Sequence, residues 1–248
     1  MMLRSSLLLF SLLFICILMR PGSWSDQADQ PAYGGEVQFN SAIGEVYKLL
    51  REPALNPEAF RMALSGYRSL CAKGLVNRDS LITIIDYSLP SSEERFFVIN
   101  LRQNSIIFKT LVAHGRNSGE LYATRFSNRA QSYQSAIGFY ITGSPYLGGQ
   151  GYSMLLTGVD TGYNDQARRR SIVIHGARYA TPQYVRQYGR LGRSFGCPAL
   201  PPYVNKEIIE CISDGSVLFS YYPDPDYIQG SVVLGAAAKP GNDPETAL

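Results

Sequence analysis

Histidine is nearly missing from this 248-residue chain, which has two, His114 and His175. Any chemistry that needs an imidazole near neutral pH must use one of them. Cysteine is scarce as well, at four residues. None stands in the short paired spacing of a zinc site, so a centre built from His114, His175, Cys197 and Cys211 is disfavoured. An excess of charge of one sign is also lacking. The formal net charge is +3 and falls to about +1 once Arg4 and Arg20 are set aside with the leader. That is too near neutral for an electrostatic nucleic-acid footprint. The run Arg168-Arg169-Arg170 then reads as a solvated loop leading into a strand.

Long apolar runs are confined to the N-terminus, at residues 7–19 behind Arg4. The run is short for a membrane span, and Ser23 and Ser25 are small residues suited to cleavage, which gives a signal peptide over 1–25. An uncleaved anchor is the alternative. After cleavage no membrane span is expected, and the mature chain is placed in the periplasm or cell envelope. It keeps Cys71, Cys197 and Cys211, an odd number for an oxidising compartment. Either all three are free, or one pair such as Cys71–Cys211 is bridged.

What is present falls into regimes. Residues 26–80 form an N-terminal extension whose two patterns, "SAIGEVYKLL" and "NPEAFRMALSGYRSLCAKG", predict helices, with Asn56 capping the second and Gly74 ending it. From residue 81 to 222 the chain turns to short β-rich runs. These are "LITIIDY", "RFFVINL", "SIIFKTLVAH", "GFYIT", "YSMLLTGV", "SIVIHG" and "SVLFSYY", interrupted by the helical patterns "TPQYVRQY" and "YVNKEIIECI". Mainly β with few helices, and no βαβ alternation, predicts an α+β fold built on an antiparallel sandwich or barrel. Residues 223–248 hold few large apolar side chains and read as a mobile tail.

The chemistry concentrates in "GRSFGC", residues 192–197. Gly192-Arg193-Ser194-Phe195-Gly196 matches the G-x-S-x-G elbow of serine hydrolases, but no strand precedes it and no histidine follows Ser194. The serine reading fails on mechanism. Cys197 fares better, because a thiol requires a base partner and His175 ends the β-branched run "SIVIH" on a fixed scaffold. From the residues alone, a catalytic Cys197–His175 pair and a structural cysteine beside a core histidine are equally open. His114, ending "LVAH", reads as a structural or supporting histidine.

The order His175-Gly176, then Ser194-x-Gly196-Cys197, resembles the L,D-transpeptidase catalytic domain family, YkuD-like enzymes that act on bacterial peptidoglycan. Gly138-Phe139 in "QSAIGFYIT" is similar to another stretch of that family. "VAHGRNSG", "RFSN" and "GRSFGCPALP" resemble its murein L,D-transpeptidase branch. The resemblance covers residues 82–222 and is most specific over 172–199. It implies a β-sandwich or barrel and a Cys197 nucleophile with His175 as base. The Gly176 carbonyl would orient the imidazole, the N–H groups of Gly196 and Cys197 would face the oxyanion, and Ser194 would shape the site. The implied substrates are peptidoglycan stem peptides, the implied inhibitors are carbapenems, and no metal or organic cofactor is required. A different envelope cysteine peptidase or amidase, or an inactive wall-binding module, are the rival readings. Two departures stand out: Phe195 occupies a position that is often histidine, and Cys197 is followed by Pro198-Ala199 rather than by a charged anchor.

Overall fold

A computed structural model describes residues 33–237; the expected signal peptide and residues 238–248 lie outside the described residues. Two helices open the chain, α1 over Tyr33–Leu50 and α2 over Pro57–Ala72. The Asn56 side chain accepts from the Glu58 and Ala59 N–H groups, and Pro57 occupies the first turn, where its missing N–H costs nothing. One face of α2 is buried through Phe60, Met62, Ala63, Tyr67 and Leu70, the spacing of an amphipathic helix. Gly66 lies flush against the ring of Phe139, leaving no room there for a Cβ. No described helix is long and apolar enough to cross a membrane.

Eight strands follow: β1 Leu81–Asp86, β2 Phe96–Asn100, β3 Ser105–Thr110, β4 Gly138–Gly148, β5 Gly151–Gly158, β6 Val173–Gly176, β7 Ala199–Leu200 and β8 Val217–Tyr221. They form one sheet in the order β3-β2-β1-β8-β4-β5-β6-β7. An antiparallel bridge between Ala113, just past β3, and Ala199 in β7 joins the two edges, so the sheet is a nearly closed barrel. The sheet is mostly antiparallel, as the barrel expectation has it, but β1 pairs with β8 and β6 with β7 in parallel. The chain reaches these pairings only after excursions of many residues, which local periodicity does not register.

β1 and β8 are buried along their whole length because both faces are covered. One core joins α2 to Ile82, Ile84, Phe97, Phe139, Val217 and Phe219. On the other face α4, Pro202–Ile212, inserts Ile208, Ile209 and Ile212 among Val98, Tyr140, Leu156 and Ile174. A short helix, α3 over Pro182–Tyr188, decorates the connection between β6 and β7. Two more, α5 over Pro225–Gly230 and α6 over Val232–Ala237, replace much of the expected mobile tail. They are held by a buried carboxylate. Asp160 accepts from the hydroxyls of Tyr227 (2.9 Å) and Ser231 (2.6 Å) and from the N–H groups of Phe139 (2.9 Å) and Val233 (3.3 Å).

Candidate active site

β6 is the scaffold of the site. It pairs antiparallel with β5, Ser153 opposite His175, and parallel with β7, His175 opposite Ala199. Cys197 precedes Ala199 by two residues, so the register brings His175 and Cys197 onto neighbouring segments of the sheet edge. Cys197, 22 positions after His175 in sequence, therefore leads into the strand that pairs with the His175 strand. The His175 Nδ1–H donates to the Gly176 carbonyl at 3.2 Å. A carbonyl can only accept, which sets the tautomer and leaves Nε2 as the basic nitrogen. His175 is 4 % exposed, and burial holds its imidazole below the ordinary histidine range.

The loop carrying Cys197 is tied at several points. The Ser194 N–H donates to the His114 carbonyl (2.9 Å), and the Arg116 N–H donates to the Ser194 carbonyl (2.8 Å). The Ser194 hydroxyl donates to the Cys197 carbonyl at 2.6 Å and accepts from the Gly196 N–H at 3.0 Å. The Ser135 hydroxyl donates to the Gly196 carbonyl at 3.2 Å. Ser194 thus staples the turn. Its bond to Gly196 means that the Gly196 N–H, expected as one of two oxyanion donors, is engaged within the turn. Gly196 has φ +126°, and a Cβ there would stand 2.8 Å from the Gln134 carbonyl oxygen. Only glycine fits this turn.

The Cys197 thiol is half-buried and donates to the Ser171 carbonyl, 3.7 Å away, rather than to His175. Burial pushes its pKa up, while the Val173 N–H and the Arg170 guanidinium oppose that rise. Burial thus acts on both groups, raising the Cys197 thiol and lowering the His175 imidazole. Cys71 and Cys211 are free, so the open question of a bridge between them is answered in the negative.

Sequence reasoning missed Arg170. It is not part of a solvated loop, as Arg168 and Arg169 are. Its guanidinium is half-buried and donates to the Ser127 carbonyl, to the Gln134 carbonyl at 2.5 Å and to the Ser132 hydroxyl at 3.3 Å. It therefore buttresses the loop segment that faces Gly196 and sets a positive charge near Cys197. Its place directly before the His175 strand was the available signal, and the exposed character of the two preceding arginines masked it.

His114 is fully buried and has both ring nitrogens engaged. Nδ1 accepts from Arg95 at 2.8 Å and Nε2–H donates to the Gly119 carbonyl at 3.3 Å. It supports the loop from beneath through its own carbonyl, as expected of a structural histidine.

A model of the L,D-transpeptidase catalytic domain family matches residues 51–221. A search of curated proteins finds no match. Similar solved structures include an L,D-transpeptidase from Mycobacterium smegmatis, at 14% identity over 58% of this chain and 59% of that one, with a TM-score of 0.35. L,D-transpeptidase 3 from Mycobacterium tuberculosis is 12% identical over 58% of this chain and 61% of that one, TM-score 0.38. The same protein in complex with a faropenem-derived adduct is 14% identical over 58% and 60%, TM-score 0.35. The chain thus spans about 60% of the length of these structures. With its His175-Gly176 strand end and its Ser194-x-Gly196-Cys197 turn inside the matched region, the chain belongs to the L,D-transpeptidase catalytic domain family.

Proposed function

We propose that the protein is a secreted cell-envelope enzyme that acts on peptidoglycan stem peptides by cysteine acyl transfer. The observation that carries this reading is the fixed His175 tautomer, Nδ1–H on the Gly176 carbonyl with Nε2 basic, on the strand beside the Cys197 turn. Secretion rests on the sequence of residues 1–25.

The chemistry begins with rotation of the Cys197 side chain from the Ser171 carbonyl toward His175, a change between staggered rotamers. Sγ then attacks the carbonyl of the third residue of a tetrapeptide stem. The S–C bond forms as the thiol proton passes to His175 Nε2, and the Cys197 N–H stabilises the oxyanion. Collapse breaks the C–N bond to the terminal D-alanine, and His175 returns its proton to the leaving amine. The thioester is resolved by an amine of a neighbouring stem, giving a 3→3 cross-link. Water as the acceptor gives L,D-carboxypeptidase activity. In either case the proton of the acceptor restores the thiol through His175.

Mass analysis of muropeptides incubated with the protein tests the reading. New 3→3 dimers or tripeptides with free D-alanine support it. Cleavage at another stem bond would instead identify an envelope peptidase or amidase, and no change would identify a wall-binding module. Carbapenems belong to the same proposal, since a thiol can open their strained lactam to a slowly hydrolysed thioester. Intact-protein mass spectrometry is expected to show one adduct in wild type and in Ser194→Ala, and none in Cys197→Ser. An adduct that survives loss of Cys197 and vanishes in Ser194→Ala would overturn the cysteine assignment.

A further inference from the structure

Beside the Cys197 turn lies an exposed side-chain arrangement that the acyl-transfer chemistry leaves unused. Phe195 is 65 % exposed although it is a large apolar residue two positions from the nucleophile. Its ring packs against Tyr133, with centroids 5.1 Å apart and planes tilted by 52°. Over both rings sits the guanidinium of Arg116, its Cζ 4.3 Å from the Tyr133 centroid and 4.9 Å from that of Phe195.

The main chain makes the arrangement rigid. Arg116 is locked to the catalytic turn by its N–H on the Ser194 carbonyl, and its own carbonyl accepts from Arg193 at 3.0 Å. Tyr133 is held at φ +54°, a left-handed conformation unfavourable for a bulky residue, and Gln131 two positions earlier has φ +58°. Strain of this kind persists only where the surroundings enforce it, and it concentrates at functional sites. Two neighbouring arginines already have a carboxylate partner: Glu120 pairs with Arg190 at 2.9 Å and with Arg193 at 2.6 Å. Among the described residues, the Arg116 guanidinium meets no acceptor. A stacked guanidinium has lost little more freedom to give when it binds, and it presents a planar fork matched to a carboxylate. The surrounding segment favours the same ligand charge, since residues 113–197 hold ten arginines against three acidic residues.

We infer that Arg116, stacked on Tyr133 and Phe195, is a carboxylate-docking subsite of the candidate active site that anchors an acidic group of the stem peptide beside Cys197. This rests on the functional reading above. It also supplies the anchor that the Cys197-Pro198-Ala199 sequence lacks on the other side of the nucleophile.

The test separates the two ideas. Calorimetric titration of Cys197→Ser protein, which binds without turnover, uses the tetrapeptide stem with free carboxylates and the same peptide amidated at each carboxylate in turn. The free peptide is expected to bind about tenfold more tightly than one of the amidated forms. Arg116→Gln should abolish that preference and Phe195→Leu should reduce it. Arg116→Lys, which keeps the charge but not the fork, should give an intermediate ratio. A preference that survives Arg116→Gln, equal weakening of all peptides, or failure of the tetrapeptide to bind would overturn the inference. D-alanine release by wild-type protein reads the functional proposal separately.

Discussion

Buried to nearly the same degree, the two histidines differ in what their ring nitrogens meet. His114 has both committed, whereas for His175 only Nδ1 is hydrogen-bonded among the described residues. His175→Ala should lower D-alanine release by about a thousandfold or more, within the range of a lost general base acting with a nucleophile. His114→Ala should leave most turnover in folded protein but lower stability by about 1–3 kcal/mol, since Arg95 loses a buried partner. Reversed severities would mean that the base is His114. The same burial makes stability pH-dependent. Burial, aided by the Arg95 cation, pushes the His114 pKa down to about 3. The unfolded histidine titrates near 6.5, so below that pH the unfolded chain takes up a proton that the native state refuses. Stability is fully present above pH 6.5 and falls between 6.5 and about 3, by about 1.4 kcal/mol per pH unit for this residue. Urea unfolding at pH 7 and pH 5 should differ by about 2 kcal/mol from His114 alone, with His175 adding in the same direction. A flat wild-type profile, or no flattening in His114→Gln, would contradict this account.

At the scale of elements, the decisive unit is the turn from Ser194 to Cys197, where hydrogen bonds and backbone conformation replace regular structure. Gly196→Ala would force a Cβ toward the Gln134 carbonyl at a φ that side chains rarely adopt. The strain should cost about 1–3 kcal/mol of stability, and in protein that still folds, activity should fall about a hundredfold from a displaced Cys197. Wild-type turnover in this variant would show that the turn does not position the nucleophile. The turn was legible in sequence as a motif but not as a geometry. Ser194 was read as a residue that shapes the site, but its bonds to the Gly196 N–H and the Cys197 carbonyl follow from a backbone path that residue types do not specify. Strands such as β1 and β8 were legible because β-branched and aromatic residues crowd them. The two-residue β7 was not, since Ala199-Leu200 carries no pattern of its own.

For the whole molecule, the point of closure is Asp160. Its four donors come from β4, α5, the Ser231 linker and α6, so one carboxylate ties the C-terminal helices to the sheet. Asp160→Ala would leave buried donors unmet and should cost about 3 kcal/mol or more. Limited proteolysis should then cut within residues 223–237 at rates well above wild type, and equal rates would refute the clasp. The sequence suggested a mobile tail because apolar residues are sparse there, and an acidic residue more than sixty positions upstream gave no hint of its partners.

The sequence by itself determined the helices α1 and α2 with the Asn56 cap, seven of the eight strands, and the His175-Gly176 and Ser194-x-Gly196-Cys197 motifs. Each of these is written in neighbouring residues, by period, cap or spacing. Only the tertiary structure decided the parallel pairings of β1 with β8 and of β6 with β7, the recruitment of Arg170 to the Cys197 site, and the stacking of Arg116 on Tyr133 and Phe195. These depend on which distant segments a nearly closed sheet brings within hydrogen-bond reach. A side chain's local sequence says what it can bond, but the path of the backbone decides which partner arrives.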